Sequence, residues 1–294
     1  MSNVTKASTQ QSARRIGILL ADLGKLNTSV LKFLVLRMNT LQQTFEFEFL
    51  PVLVEDEFIQ MLSIQVPISR DEVKKAIPTF LARYRAYLQE RVDDFSIRER
   101  TLPTDHLIIV SMAQFNDNFY STRKDAVAIL ALGSWKRAMS PPSLVEFFLT
   151  LILRQSVAFI SPSLQGSVHL GTKGCICDFN ESLEDVRLKV LNGFVCSYCR
   201  AALQADGFDK LPDELVHILR KDWFGTSIEP NTPAGIATNL GYDLFNTKGL
   251  KPTPWESIQT LLQQEGIKQI IAIVGAIIQT ILIALLIVWL GLKK

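Results

Sequence analysis

From Gln269 to Leu292 the chain reads QIIAIVGAIIQTILIALLIVWLGL, with no charged residue, between Lys268 and the pair Lys293-Lys294. At 1.5 Å per residue a helix over this run is about 36 Å long, enough to cross a hydrocarbon core of about 30 Å with some tilt. Buried helices of soluble cores rarely stay apolar on every face for that length, so the run predicts one C-terminal transmembrane helix over 268–292. Two residues follow it, and the opening MSNVTKASTQQSARRIGILLADLG lacks the apolar run of a secretory signal. The expected topology is single-pass and tail-anchored, with the soluble part in the cytoplasm. Lys248, Lys251 and Lys268 agree with that placement, while the two terminal lysines pull the other way. Ala272, Ala276, Thr280 and Ala284 recur every four residues, a stripe of small side chains along which a second helix can approach closely. Gln279 falls near mid-membrane, where an amide needs a partner that a homo-oligomer would supply.

Ahead of this run the chain is long enough for a sizeable core. It has 294 residues, 48% of them hydrophobic, which excludes disorder and a disulfide-stapled miniprotein. With 31 Lys+Arg against 29 Asp+Glu, the net charge of +2 gathers no nucleic acid, and none is expected as a partner. Residues 1–14 are polar and Ser/Thr/Gln-rich and read as a flexible tail. IGILLADLG (16–24), helical spacing from Ser29 to Phe45, and EFEFLPVLV (46–54) predict a β-α-β unit. Its turn ADLGKLNTS has one glycine where a phosphate cradle wants several, a weak nucleotide signal resting on Lys25 and Asn27. Ser69 and Glu72 have capping-box spacing ahead of an apolar stripe formed by Val73, Ile77, Phe80, Leu81, Tyr84, Leu88 and Val92. HLIIVSM (106–112) and DAVAILALG (125–133) predict strands joined by the polar stretch AQFNDNFYSTRK. Pro141, Pro142 and Ser143 then start a core helix, LVEFFLTLILRQSVAFI. A further helix is expected from about Pro212 to Lys221. Residues 226–267, rich in Gly, Asn, Pro and Thr, read as an extended connection. The soluble domain thus spans 15–225.

All four cysteines fall within 25 residues, as Cys175-Ile-Cys177 and Cys196-Ser-Tyr-Cys199, with His169 just upstream. A C-x2-C knuckle points two thiolates at one tetrahedral ion, which predicts one structural zinc in a knuckle over 169–199. Four ligands must come from five candidates. Cys175, Cys177, Cys196 and Cys199 form one set, although a single intervening residue leaves Cys175 and Cys177 little freedom to converge. His169, Cys175, Cys196 and Cys199 form the other. His106, at the head of a predicted strand, and His217, on a predicted helix, read as partly buried histidines. The chain contains no G-x-S-x-G, Walker A or G-x-G-x-x-G sequence.

GSVHLGTKGCICDFNESLEDVRLKVLNGFVCSYC resembles the end of the archaemetzincin family of zinc peptidases, whose motif is H-E-x-x-H-x-x-G-x-x-H-C-x4-C-x-M with a downstream C-x2-C. Laid on without gaps, the motif glycine falls on Gly166, the third zinc histidine on His169, the second structural cysteine on Cys175, and the knuckle on Cys196 and Cys199. The first histidine, the general-base glutamate and the second histidine fall on Phe159, Ile160 and Ser163, the first structural cysteine on Leu170, and the methionine on Cys177. The chain's three histidines include no pair four apart. Over residues 15–203 the resemblance implies an α/β fold, a mixed sheet with packed helices of metzincin type. It also implies a pseudo-peptidase that kept its structural knuckle, with His169 in place of the lost cysteine. The expected function is a non-catalytic sensing or interaction domain, responding to a protein or small ligand and acting through oligomerisation of its membrane helix. A membrane-tethered zinc hydrolase with another site is the alternative, and a nucleotide sensor a further one.

Overall fold

The computed structural model describes residues 13–23, 27–64, 66–95, 106–166, 169 and 174–242, together with helical positions 275, 277–283, 286 and 289. The chain divides into two compact units, Met1–Leu250 and Lys251–Lys294.

The larger unit is built on a five-stranded sheet in the order β2-β1-β3-β5-β4. Its strands are β1 (Arg14–Leu20), β2 (Phe45–Phe49), β3 (His106–Ser111), β4 (Ser121–Lys124) and β5 (Val127–Ala131). The first, second, third and fifth run parallel, and β4 pairs antiparallel with β5 at one edge. Parallel strands are covered on both faces, which is why HLIIV and VAILA read as unbroken apolar runs rather than as alternation. Ile108, Val110, Ala128 and Leu130 enter the core on one face, and Leu107, Ile109, Val127 and Ile129 enter the core on the other.

On the second face lie α2 (Glu57–Met61) and α3 (Arg70–Phe95), whose stripe of Val73, Ile77, Phe80, Tyr84 and Leu88 is buried as its spacing requires. On the first lie α1 (Thr28–Met38) and α4 (Leu144–Ile160). Asn27 caps α1, accepting from the amides of Ser29 and Val30. Ser143 and Glu146 close a full capping box on α4. Nearly every α4 side chain is buried, so this helix is the central pillar of the core. The chain continues through α5 (Pro162–Gln165), α6 (Leu183–Asn192), α7 (Ser197–Ala205), α8 (Leu211–Arg220) and α9 (Pro233–Asn239).

Two local expectations are corrected. The polar link 113–124 contains β4, which has only Thr122 buried: an edge strand faces solvent and has no need of an apolar run. The connection 226–267 contains α9, where Thr232 caps, Pro233 sits in the first turn, and Ala234 and Ala237 are buried against the core.

The expectation of a single-pass membrane protein is also corrected. Among the described residues, no helix is long and apolar enough to cross a membrane. The 26 residues of α3 carry charge on one face. The 17 of α4 fall short of the roughly 20 a span requires and include Glu146 and Arg154. In the second unit Gln279 and Thr280 belong to the described helical positions and are exposed, whereas Ala272, Ala276 and Ala284 lie outside the described residues.

Candidate metal centre

The structure brings His169, Cys175, Cys196 and Cys199 together, with one donor atom from each lying within 4.8 Å of all the others. Three short pieces of backbone make this possible. His169 and Cys175 sit on isolated bridges, to Asp178 and Phe194 respectively, so each is held at a fixed point of the backbone. Phe194 anchors the Cys175 segment twice, accepting from Ile176 N at 2.9 Å and donating to Gly174 O at 3.2 Å. Gly174 has φ +150°, and a Cβ there would meet the Phe194 ring at 3.0 Å, so the close approach needs glycine. Cys196 is the N-cap of α7 and Cys199 lies one turn into it. The Cys196 sulfur accepts from the Cys199 amide at 3.4 Å.

The donor spacing is that of a tetrahedral ion. Zinc–sulfur bonds of about 2.3 Å and zinc–nitrogen bonds of about 2.0 Å give tetrahedron edges of roughly 3.8 Å between sulfurs and roughly 3.5 Å between sulfur and nitrogen. The Cys175 and Cys199 sulfurs are 3.8 Å apart, and His169 Nε2 lies 3.3 Å from the sulfurs of both Cys196 and Cys199. The group can therefore hold one zinc ion, with all four positions filled by protein.

Asp178 orients the ligands. One carboxylate oxygen lies 2.8 Å from His169 Nδ1, and the other accepts from the amides of Gly174 and Cys175 at 2.6 and 3.0 Å. A carboxylate this close to Nδ1 favours the proton on that nitrogen, which leaves the Nε2 lone pair for the metal. Sequence reasoning missed Asp178; the available signal was a carboxylate directly following Cys177.

Cys177 is fully buried and stands outside the four-donor group. Hydrogen bonding with the Cys175 and Cys199 sulfurs holds it below the ordinary thiol range, helped by the charges of Arg154 and Lys189. The same sulfur contacts push Cys199 up. Lys189 is itself buried and donates to the Asp178 carbonyl at 2.6 Å. Burial and then the Arg154 charge pull it down to about 8.

The remaining sequence candidates are occupied structurally. The Phe159 ring stacks on His106 with centroids 4.5 Å apart. Ser163 is bound to Asp206 through both its hydroxyl, at 2.7 Å, and its amide, at 3.1 Å. His217 lies on α8 with its side chain exposed, a correction to the partly buried histidine expected there, because it falls on the solvent face of the helix. Asn27 is taken up in capping α1 and in donating to the Leu240 carbonyl at 2.9 Å, while Lys25 lies outside the described residues.

No protein-family model matches the chain, and no curated protein matches it. Among solved structures it is similar to an archaemetzincin of Methanopyrus kandleri, at 11% identity over 67% of this chain and 96% of that one, with a TM-score of 0.39. It is also similar to a zinc-dependent peptidase of Methanocorpusculum labreanum, at 13% identity over 64% and 99% of the two chains, again with a TM-score of 0.39.

Proposed function

We propose that this chain works by binding rather than by catalysis, as a sensing or interaction domain whose one metal is structural. The observation that carries this reading is the closed donor set. Catalytic zinc keeps a coordination position open for water or substrate, whereas His169, Cys175, Cys196 and Cys199 fill all four. A tris-thiolate ion is also a poor activator of water, because the thiolates already donate most of the charge that the metal would otherwise draw from a ligand. The positions where the archaemetzincin motif would place its first two histidines and its base hold Phe159, Ser163 and Ile160. The first is stacked on His106 and the second is bound to Asp206.

Metal analysis of the purified chain tests this. One zinc per chain that survives mild chelation, with no zinc-dependent hydrolysis of peptides, is the expected result. A second, labile zinc whose removal abolishes a hydrolytic activity would overturn it.

A further inference from the structure

Beside the metal centre lies a cavity of about 280 Å³, at the small end of ligand pockets. It is bounded by β4, the later turns of α4, Gln165, the segment 178–180, Lys189 and the first turn of α3. Five cations line it, Arg70, Lys74, Arg123, Arg154 and Lys189, against one carboxylate, Asp178, which is engaged by His169 and two amides. Arg70 and Lys74, at the start of α3, are paired with Asp117 and Asp71. Arg123 and Arg154 have no acidic partner among the described residues. Burial, and then the neighbouring Arg154 charge, lower the Arg123 guanidinium from its ordinary value. A zinc ion on three thiolates would carry one net negative charge, and Arg154 and Lys189 also face the Cys177 sulfur, so Arg123 is the wall cation with the least opposite charge set against it.

The cavity also contains buried polar atoms without partners. Arg154 Nη1 and the Thr122 hydroxyl are unsatisfied, and so is Asn180 Oδ1, an acceptor. Thr122 is 95% buried, with a relative exposure of 5%. Unpaired polar atoms of this kind cost free energy unless a ligand or solvent meets them. Two unsatisfied donors among excess positive charge call for an anion, while Asn180 calls for a hydroxyl or N–H on the same molecule. A hydrogen phosphate or a phosphate ester of a sugar presents both, and a simple carboxylate presents only the first.

We propose that this cavity binds a small phosphate-bearing molecule, with Arg123, Arg154 and Thr122 on the phosphate and Asn180 on a hydroxyl or N–H beside it. This deepens the binding-domain reading above by naming the class of ligand, and it rests on that reading.

The experiment is calorimetric titration of the zinc-loaded full chain at fixed ionic strength. The probes are inorganic phosphate, ribose 5-phosphate and adenosine monophosphate, with malonate as the carboxylate control. Saturable binding of a phosphate probe, weakened about tenfold or more by Thr122→Val and by Arg123→Gln, is expected. Zinc content and melting temperature, measured on the same variants, report on folding, and Arg154→Gln is added wherever it folds. Equal affinity for phosphate and its esters assigns the site to the free ion, and tenfold tighter binding of an ester assigns it to an organic phosphate. Absence of saturable binding, malonate binding as tightly as phosphate, or affinity unchanged in both variants overturns the proposal. Those outcomes leave the structural-zinc result intact, whereas a labile second zinc with hydrolysis defeats the binding-domain reading separately.

Discussion

Asp178 shows how much one carboxylate settles at the scale of the residue. One oxygen lies 2.8 Å from His169 Nδ1 and the other frames the Cys175 loop through two amides, so its effect on the metal is exerted through the ligands. Asp178→Asn should weaken zinc binding by roughly 10–100-fold while keeping the ligand set, as read by competition with a chromogenic chelator. His169→Ala and Cys196→Ser each remove a ligand and should abolish tight binding of the single zinc, whereas Cys177→Ser should retain one zinc per chain. Loss of the metal in Cys177→Ser alone would exclude the ligand set that the geometry defines. The cysteine spacing made a zinc site legible, but left two ligand sets open. The choice between them depended on where the backbone bridges of His169 and Cys175 place those side chains, and local spacing carries no information on that.

At the scale of the element, helix starts rest on caps, which are short-range hydrogen bonds between residues two or three apart; Ser143 was legible as the start of α4, but its capping box with Glu146 was not read from the sequence. Ser143 and Glu146 satisfy the first turn of α4 reciprocally, with the Ser143 amide donating to the Glu146 carboxylate at 2.6 Å and the Glu146 amide to the Ser143 hydroxyl at 3.2 Å. Ser143→Ala should cost about 1 kcal/mol in denaturant unfolding. Asp56 caps α2 and also receives Arg83 of α3 in a fork, at 2.8 and 2.9 Å. Burial raises its pKa, but hydrogen bonds from Arg83 and the Phe58 amide outweigh that, and the carboxyl is held below its ordinary value. A depressed acid contributes stability that is present above its unfolded pKa, about 3.9, and is lost as pH falls through the lower folded value. The melting temperature of Asp56→Asn should therefore lie below that of the parent at pH 7, with the gap closing below about pH 4. A gap independent of pH would show that the charge is not involved. The short elements β4 and α9 were not legible, since four and seven residues hold too little pattern. Gly235 in α9 packs so closely that a Cβ would lie 1.9 Å from the Glu229 carbonyl oxygen, a constraint that exists only in the folded chain.

At the scale of the whole molecule, the metal centre closes the layer of α6, α7 and α8 over the first face of the sheet. Cys175, Cys177 and Cys199 belong to the same apolar cluster as α4 and β3. Ligation that exists only in the folded state stabilises by mass action, about 2.7 kcal/mol when free zinc is a hundredfold above Kd. For a domain of this size that is a rise in Tm of roughly 5–10 °C, to be measured by calorimetry with and without chelator. Hydrogen exchange should show chelation deprotecting 174–205 before the sheet. Uniform deprotection would mean that the centre supports the entire core instead of one layer.

From sequence alone, the parallel-sheet strands, the buried stripe of α3, the apolar pillar α4 and a clustered cysteine metal site were determined, because each follows from periodicity or spacing within a few residues. The apolar run 269–292 led, on hydropathy alone, to the expectation of a membrane span; of that run the structure describes only positions 275, 277–283, 286 and 289. Among the described residues, no helix meets the length and apolarity that a span requires. Tertiary structure alone brought the four donors together and made the Asp178 contact and the cationic cavity. Their residues come from segments as far apart as Arg70 and Lys189, and only the packing of α3, β4 and α4 against the metal loop brings them to one place.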